Sequence, residues 1–305
     1  MHLIPRNHFF MNQRFFSRSN KMKVARIGFY GIRNIGAGLV QSVVNKGLSA
    51  VVFENNSDVY HNAISIIEKN VDYEIEHWGL TPKDKKIMFS KIENIEKFSD
   101  FSKYDIDIII ESVEEDLSKK IEVTNRIINE LNLNIPIILT SQINSLKSIV
   151  DNIEGAKKTV NIHPVPSVPI YKIVELILSQ NTSEPTLEIV RYFFEKLDIK
   201  PVEVEDGCGI VGPRVLISII LEACDMMRNS KIQPGEFDAI MKKGLKMYKG
   251  PLTTADEIGL DNIKMWIEEL SKIDPSVYKV PQIIIDLIAK GQTGIKAGKG
   301  FLNYK

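Results

Sequence analysis

The chain has 305 residues, 44% of them hydrophobic, enough for one large or two moderate domains with real cores. Its 39 basic and 39 acidic side chains cancel, so charge gives no support for a nucleic-acid partner. Two cysteines, Cys208 and Cys224, are too few for a disulfide framework and fit a reduced compartment, and no apolar run is long enough to span a membrane as a helix.

Residues 1–22 differ from the rest. They carry Arg6, Arg14, Arg18 and Lys21 among Phe9, Phe10, Phe15 and Phe16, and no acidic residue occurs before Glu54. An Arg-rich, aromatic, acid-free leader predicts mitochondrial targeting, to the matrix or the matrix side of the inner membrane. A basic docking arm is the alternative.

Val24–Tyr30 has the length and β-richness of a buried parallel strand. A tight turn, Gly31–Gly36, leads into a helix on which Ile35, Leu39 and Val43 recur at helical spacing, with Gly47 closing it. Ala50–Phe53 is a second buried strand ending on Glu54, placed for a ribose hydroxyl. This strand–turn–helix–strand unit is the one that binds dinucleotides. However, the second glycine of G-x-G-x-x-G, which lets backbone approach a pyrophosphate closely, is Arg33. An arginine there either pairs with phosphate as a cation or fills the space, and filling it predicts weak NAD binding.

Ser57–Trp78 follows as a long helix, and Lys83–Ser99 reads as charged loop between short apolar islands. Asp105–Ile110 is a strand that runs into Glu111, Glu114, Glu115 and Asp116, acids crowding the start of a helix continuing to Leu131. Pro136–Ser141 is a strand and Ser145–Val150 a short helix. Thr159–His163 and Lys172–Leu178 are strands joined by a proline-rich link, Thr182–Leu197 is a helix and Lys200–Glu205 a last strand. From Ile210 the pattern is helical only, over Val211–Arg228, Pro234–Lys243, Asn262–Ser271 and Gln282–Ala289. The expectation is an α/β fold: a Rossmann-type doubly wound sheet over 23–207 and an all-α domain over 208–305.

From Val24 onward the chain resembles the L-3-hydroxyacyl-CoA dehydrogenase family. The matching stretches include ESVEEDLSKK (Glu111–Lys120), Ser145-Leu146, His163 through KIVELI, PVEVEDGCGIV (Pro201–Val211), GPLTTADEIGLDN (Gly250–Asn262) and GIKAGKGFLNYK. The resemblance implies an NAD-binding domain, a helical domain that forms a homodimer, and oxidation of a 3-hydroxyacyl-CoA to the 3-ketoacyl-CoA.

Taking hydride from a secondary alcohol requires a base for the hydroxyl proton, an orienter for the base and donors for the oxygen. His163 is the candidate base and Glu175 its orienter. They lie symmetrically about Pro169, so a chain reversal there sets them opposite one another on neighbouring strands. The resemblance places both on the family's catalytic His and Glu. Its substrate-binding serine falls on Asn144, with Ser145 adjacent, and its catalytic asparagine falls on Pro213, which has neither amide nor hydroxyl to offer. The asparagine of its HFxNP motif is lost as well. Glu115 and Lys120 match its segment near the nicotinamide ribose; each reads equally as a solvated acid or surface lysine.

The departures gather in cofactor and substrate positions, whereas the fold-specifying stretches are intact. The expected function is therefore a non-catalytic structural subunit of a mitochondrial assembly. The alternative is a divergent, active NAD-dependent 3-hydroxyacyl-CoA dehydrogenase.

Overall fold

The structure, a computed structural model, describes residues 23–131, 134–142, 144–151, 153–164, 172–179, 182–206, 211–230 and 232–304. The basic leader expected over 1–22 lies outside the described residues, as does Cys208.

Strand β1 (Arg26–Tyr30) pairs in parallel with β2 (Ser49–Phe53) on one side and β4 (Ile108–Glu111) on the other. Strand β3 (Ile92–Ile95) extends the sheet beyond β2, and β5 (Ile137–Leu139) and β6 (Thr159–Pro164) extend it beyond β4. Then β7 (Ile173–Leu178) pairs antiparallel to β6, and β8 (Lys200–Glu205) parallel to β7, giving the order β3-β2-β1-β4-β5-β6-β7-β8. The central strands are apolar on both sides because helices cover both faces. Ile108 and Ile110 face one core with Ile27, Phe29 and Val52, while Ile109 faces the other with Val51, Phe53 and Leu139.

Helices α1 (Asn34–Asn45) and α2 (Ser57–Trp78) cover the first face, and α4 (Leu117–Leu131) and α5 (Leu146–Val150) the second. The first face is completed by α6 (Glu184–Lys196). Lys83–Ser99, expected as loop, instead holds α3 (Pro82–Phe89) and the edge strand β3. The cause is local: Thr81 and Asp84 form a reciprocal capping box, each accepting the other's backbone N–H, at 3.2 and 2.9 Å. The helical domain comprises α7 (Val211–Asn229), α8 (Pro234–Lys243), α9 (Pro251–Ile258), α10 (Leu260–Ser271) and α11 (Gln282–Ala289) around Ile220, Leu252, Ile263 and Trp266. Helix α9, opened by Pro251 at its first turn, was not among the expected helices. Among the described residues no helix is long and apolar enough to cross a membrane.

Candidate active site

The strand order reverses direction at β1, between β2 and β4, and ligands of open α/β sheets bind in the crevice beyond such a switch point. Gly31 leaves β1 at φ +85°, where a Cβ would stand 2.5 Å from the Ser112 carbonyl oxygen. A Cβ on Gly36 would come 2.7 Å from the Ser112 hydroxyl. Ser112, just past β4, therefore makes glycine necessary at both positions and draws the start of α1 close to the strand ends. Arg33 precedes α1 in extended conformation with no side-chain cap on the helix, so the first amides of α1 face the crevice without one. The Arg33 guanidinium lies 3.4 Å from the Glu114 carboxylate, both about half exposed, and its side chain leaves the turn toward the surface. Past β2, the Glu54 carboxylate accepts the N–H of Ile32 at 3.3 Å and of Asn56 at 3.0 Å, which ties the acid to the glycine turn. Glycine turn, open helix amides and an acid at the second strand's end are a donor set that fits a dinucleotide.

The reversal between β6 and β7 sets His163 opposite Glu175 in register. Both are buried, and His163 Nδ1 lies 4.0 Å from Glu175 Oε2, beyond hydrogen-bond length. Nδ1 has no hydrogen-bond partner among the described residues. The Glu175 oxygens instead accept the N–H of Val211 (3.0 Å) and of Gly212 (2.8 Å), the first residues of α7. The carboxylate thus sits at the positive end of that helix and ties the two domains together. Burial pushes the His163 imidazole down to about 4, opposed by the Glu115 charge, so at neutral pH the ring is neutral.

Glu115 does more than start a helix. Its carboxylate accepts the Ser141 hydroxyl at 2.6 Å, the Gln142 N–H at 3.0 Å and the Asn144 side-chain amide at 2.9 Å. This pins the loop between β5 and α5. Ser145 caps α5, its hydroxyl oxygen accepting the Ser148 N–H at 3.1 Å. Of the two readings offered for Lys120, the surface lysine is overturned by its burial. It has no exposed area and bonds both oxygens of the equally buried Glu111 at 3.1 Å, with Glu115 3.8 Å away. Burial holds the Glu111 carboxyl above its ordinary range, against the pull of Lys120.

The structure thus sets His163 against Glu175 within β6 and β7, and gathers Asn144 and Lys120 around Glu115, whose charge also acts on His163, with Ser145 following Asn144; Gly31, Arg33, Gly36 and Glu54 lie past β1 and β2. Three residues that shape the site were missed by the sequence reading. Ser112 packs on both glycines. Asn161 holds the Ser141 backbone, accepting its N–H at 2.7 Å and donating to its carbonyl at 3.1 Å. Asp206, just past the end of β8, caps α5, accepting the N–H of Leu146 at 3.0 Å. A polar letter inside or just past a buried strand, as in IIIES (Ile108–Ser112) and TVNIHP (Thr159–Pro164), is the signal that could have found the first two.

Residues 23–207 match the family model "3-hydroxyacyl-CoA dehydrogenase, NAD binding domain" and 209–304 match "3-hydroxyacyl-CoA dehydrogenase, C-terminal domain". A probable 3-hydroxybutyryl-CoA dehydrogenase of Bacillus subtilis is 28% identical over 289 residues, covering 93% of this chain and 99% of that protein. The mitochondrial hydroxyacyl-coenzyme A dehydrogenase of Sus scrofa is 24% identical over 295 residues, with 94% and 93% covered. The crystal structure of (S)-3-hydroxybutyryl-CoA dehydrogenase PaaH1 from Ralstonia eutropha superposes with a TM-score of 0.84 at 26% identity, covering 93% of this chain and all of that one. With matching models over nearly its whole length and a site built at the expected strand ends, the chain belongs to the 3-hydroxyacyl-CoA dehydrogenase family.

Proposed function

We propose that this protein is a slow, divergent NAD-dependent dehydrogenase of 3-hydroxyacyl-CoA thioesters. The observation that carries the reading is the register that sets a buried, neutral His163 opposite Glu175. A neutral imidazole can accept a proton. With Glu175 on the Nδ1 side, Nε2 is the nitrogen left to take the substrate's 3-hydroxyl proton, while Glu175 favours the imidazolium that results. NAD, when bound, supplies the acceptor for the hydride from C3, and the Gly31–Gly36 turn, Arg33, the open α1 amides and Glu54 would hold it. The α7 amides hold Glu175, and the Glu115 network holds the loop that carries Asn144 and Ser145 to the crevice.

A second reading is the non-catalytic subunit of a mitochondrial assembly. It is favoured by the Asn144 amide, which is engaged by Glu115, and by Pro213, which offers no donor. Lost donors to one developing oxyanion cost roughly a hundred- to a thousandfold in rate, which is why the first reading is a slow enzyme. Mitochondrial residence is supported by the composition of residues 1–22 and by mitochondrial relatives from Sus scrofa and Rattus norvegicus. A homodimer is supported by apolar side chains left exposed on the helical domain, among them Val215, Ile240 and Leu245.

NADH oxidation by purified protein with acetoacetyl-CoA separates the two readings. A rate that scales with protein concentration supports the dehydrogenase. No oxidation, together with no rise in melting temperature on adding NADH, supports the subunit.

A further inference from the structure

The last turns of α1, α2 and α6 meet around a cavity of about 430 Å³, large enough for side chains rather than single waters. The cofactor crevice takes the first turn of α1, so this cavity lies at that helix's far end. Val44, Trp78, Leu80, Ile87, Leu197 and Ile199 give it apolar walls. Two of them are poorly covered: Trp78 is 60% exposed and Ile87 47%. The charges around it are unevenly matched. Lys46 and Lys172 both reach Asp198, and Asp84 is held in the Thr81 capping box. Glu74 has no cation among the described residues. Its half-buried carboxylate accepts the side-chain amides of Gln41 at 2.8 Å and Asn45 at 3.5 Å. Three helix C-termini add partial negative charge beside it. The open side therefore suits a cation carried next to apolar groups.

The described chain enters the fold beside this cavity. The Lys196 ammonium donates to the Val24 carbonyl at 2.8 Å, and the next residue, Leu197, lines the cavity. The Ala25 carbonyl accepts the N–H of Ser49 at 2.9 Å, two residues past the lining residue Gly47. Residues 1–22, outside the described residues, carry Phe9, Phe10, Phe15, Phe16, Arg6, Arg14, Arg18 and Lys21, and no acid. We propose that residues 1–22 are retained and dock on this cavity, phenylalanine rings against Trp78, Leu80 and Ile87 and a basic side chain against Glu74. Phe16 is seven residues from Lys23, a reach of up to about 25 Å. A tether that short gives an effective concentration in the millimolar range, so even roughly millimolar intrinsic affinity fills the cavity about half the time. A leader removed on import cannot dock, so the proposal requires the uncleaved chain in the native source.

The test compares acrylamide quenching of tryptophan in the full chain and in residues 23–305, which keep every described element. Trp266, 5% exposed, is a nearly constant background. Trp78 should be quenched more steeply once residues 1–22 are gone, and Trp78→Phe should abolish the difference. A synthetic peptide of residues 1–22, added to the shortened protein, should shift Trp78 emission saturably. Glu74→Gln should weaken that binding by up to about fivefold, the worth of one partly exposed ion pair, and by less in high salt. A peptide carrying Phe9→Ser, Phe10→Ser, Phe15→Ser and Phe16→Ser should bind roughly tenfold more weakly or worse. Equal quenching in the two proteins overturns the proposal, as does a peptide that leaves Trp78 emission unmoved. Equal binding of the serine peptide reduces the contact to charge and overturns it too. So does an intact mass from the native source that places the mature terminus near Asn20–Lys23. None of these outcomes bears on hydride transfer, so the proposed function stands or falls separately.

Discussion

His163 owes its low proton affinity to burial, and the low value makes it a stability switch as well as a candidate base. Its folded value of about 4 lies below the ordinary value of about 6.5, so the unfolded chain takes up the proton first as pH falls. Stability linked to this group is fully present above pH 6.5 and is lost as pH drops from there toward 4. Between pH 7 and 4.5, urea unfolding of the wild type should lose about 2 to 3 kcal/mol more than that of His163→Gln; equal losses would show that the ring is solvated. Arg33 makes a different kind of contact. Its pair with Glu114 is a half-exposed surface contact worth roughly 0–1 kcal/mol, so a phosphate at the α1 N-terminus can compete for the guanidinium at little cost. Arg33→Ala should weaken NADH binding, by less as salt is raised. Tighter binding by Arg33→Ala would mean that the side chain obstructs the pyrophosphate.

At the scale of elements, α4 is fastened by a buried charge pair as well as by its apolar stripe. Removing one member of a buried pair strands the other, at about 3–5 kcal/mol. Glu111→Gln and Lys120→Met should each cost on that order, and the double variant much less than their sum. Additive losses in denaturant melts would show that the two charges are not coupled. Much of this was visible in the chain itself. The periodicity of α1, the Gly31–Gly36 turn and the apolar runs of β1, β2 and β4 each specify their element locally, and the chemistry of a reversal sets His163 against Glu175. Lys120 was not readable as buried, because its partner sits on β4 and only packing brings the two together. The α3–β3 segment was hidden by its lysines, although Thr81 and Asp84 carry the capping signal for the helix.

Across the whole molecule, the two-domain plan follows from strands alternating with helices up to Glu205 and helices alone afterwards. What the chain does not spell out is how the domains meet. The Glu175 clamp on the first amides of α7 and a cavity lined by Ile177 and Trp266 both join residues far apart in sequence, and each exists only once the helical domain docks. The central claim is that this docked arrangement still performs hydride transfer with His163 as base. The direct test is acetoacetyl-CoA reduction by NADH at saturating substrate, comparing the wild type with His163→Ala. Measurable wild-type turnover that falls by roughly a hundred- to ten-thousandfold in His163→Ala is the expected result. A wild-type rate at background, or one that His163→Ala leaves unchanged, would contradict it.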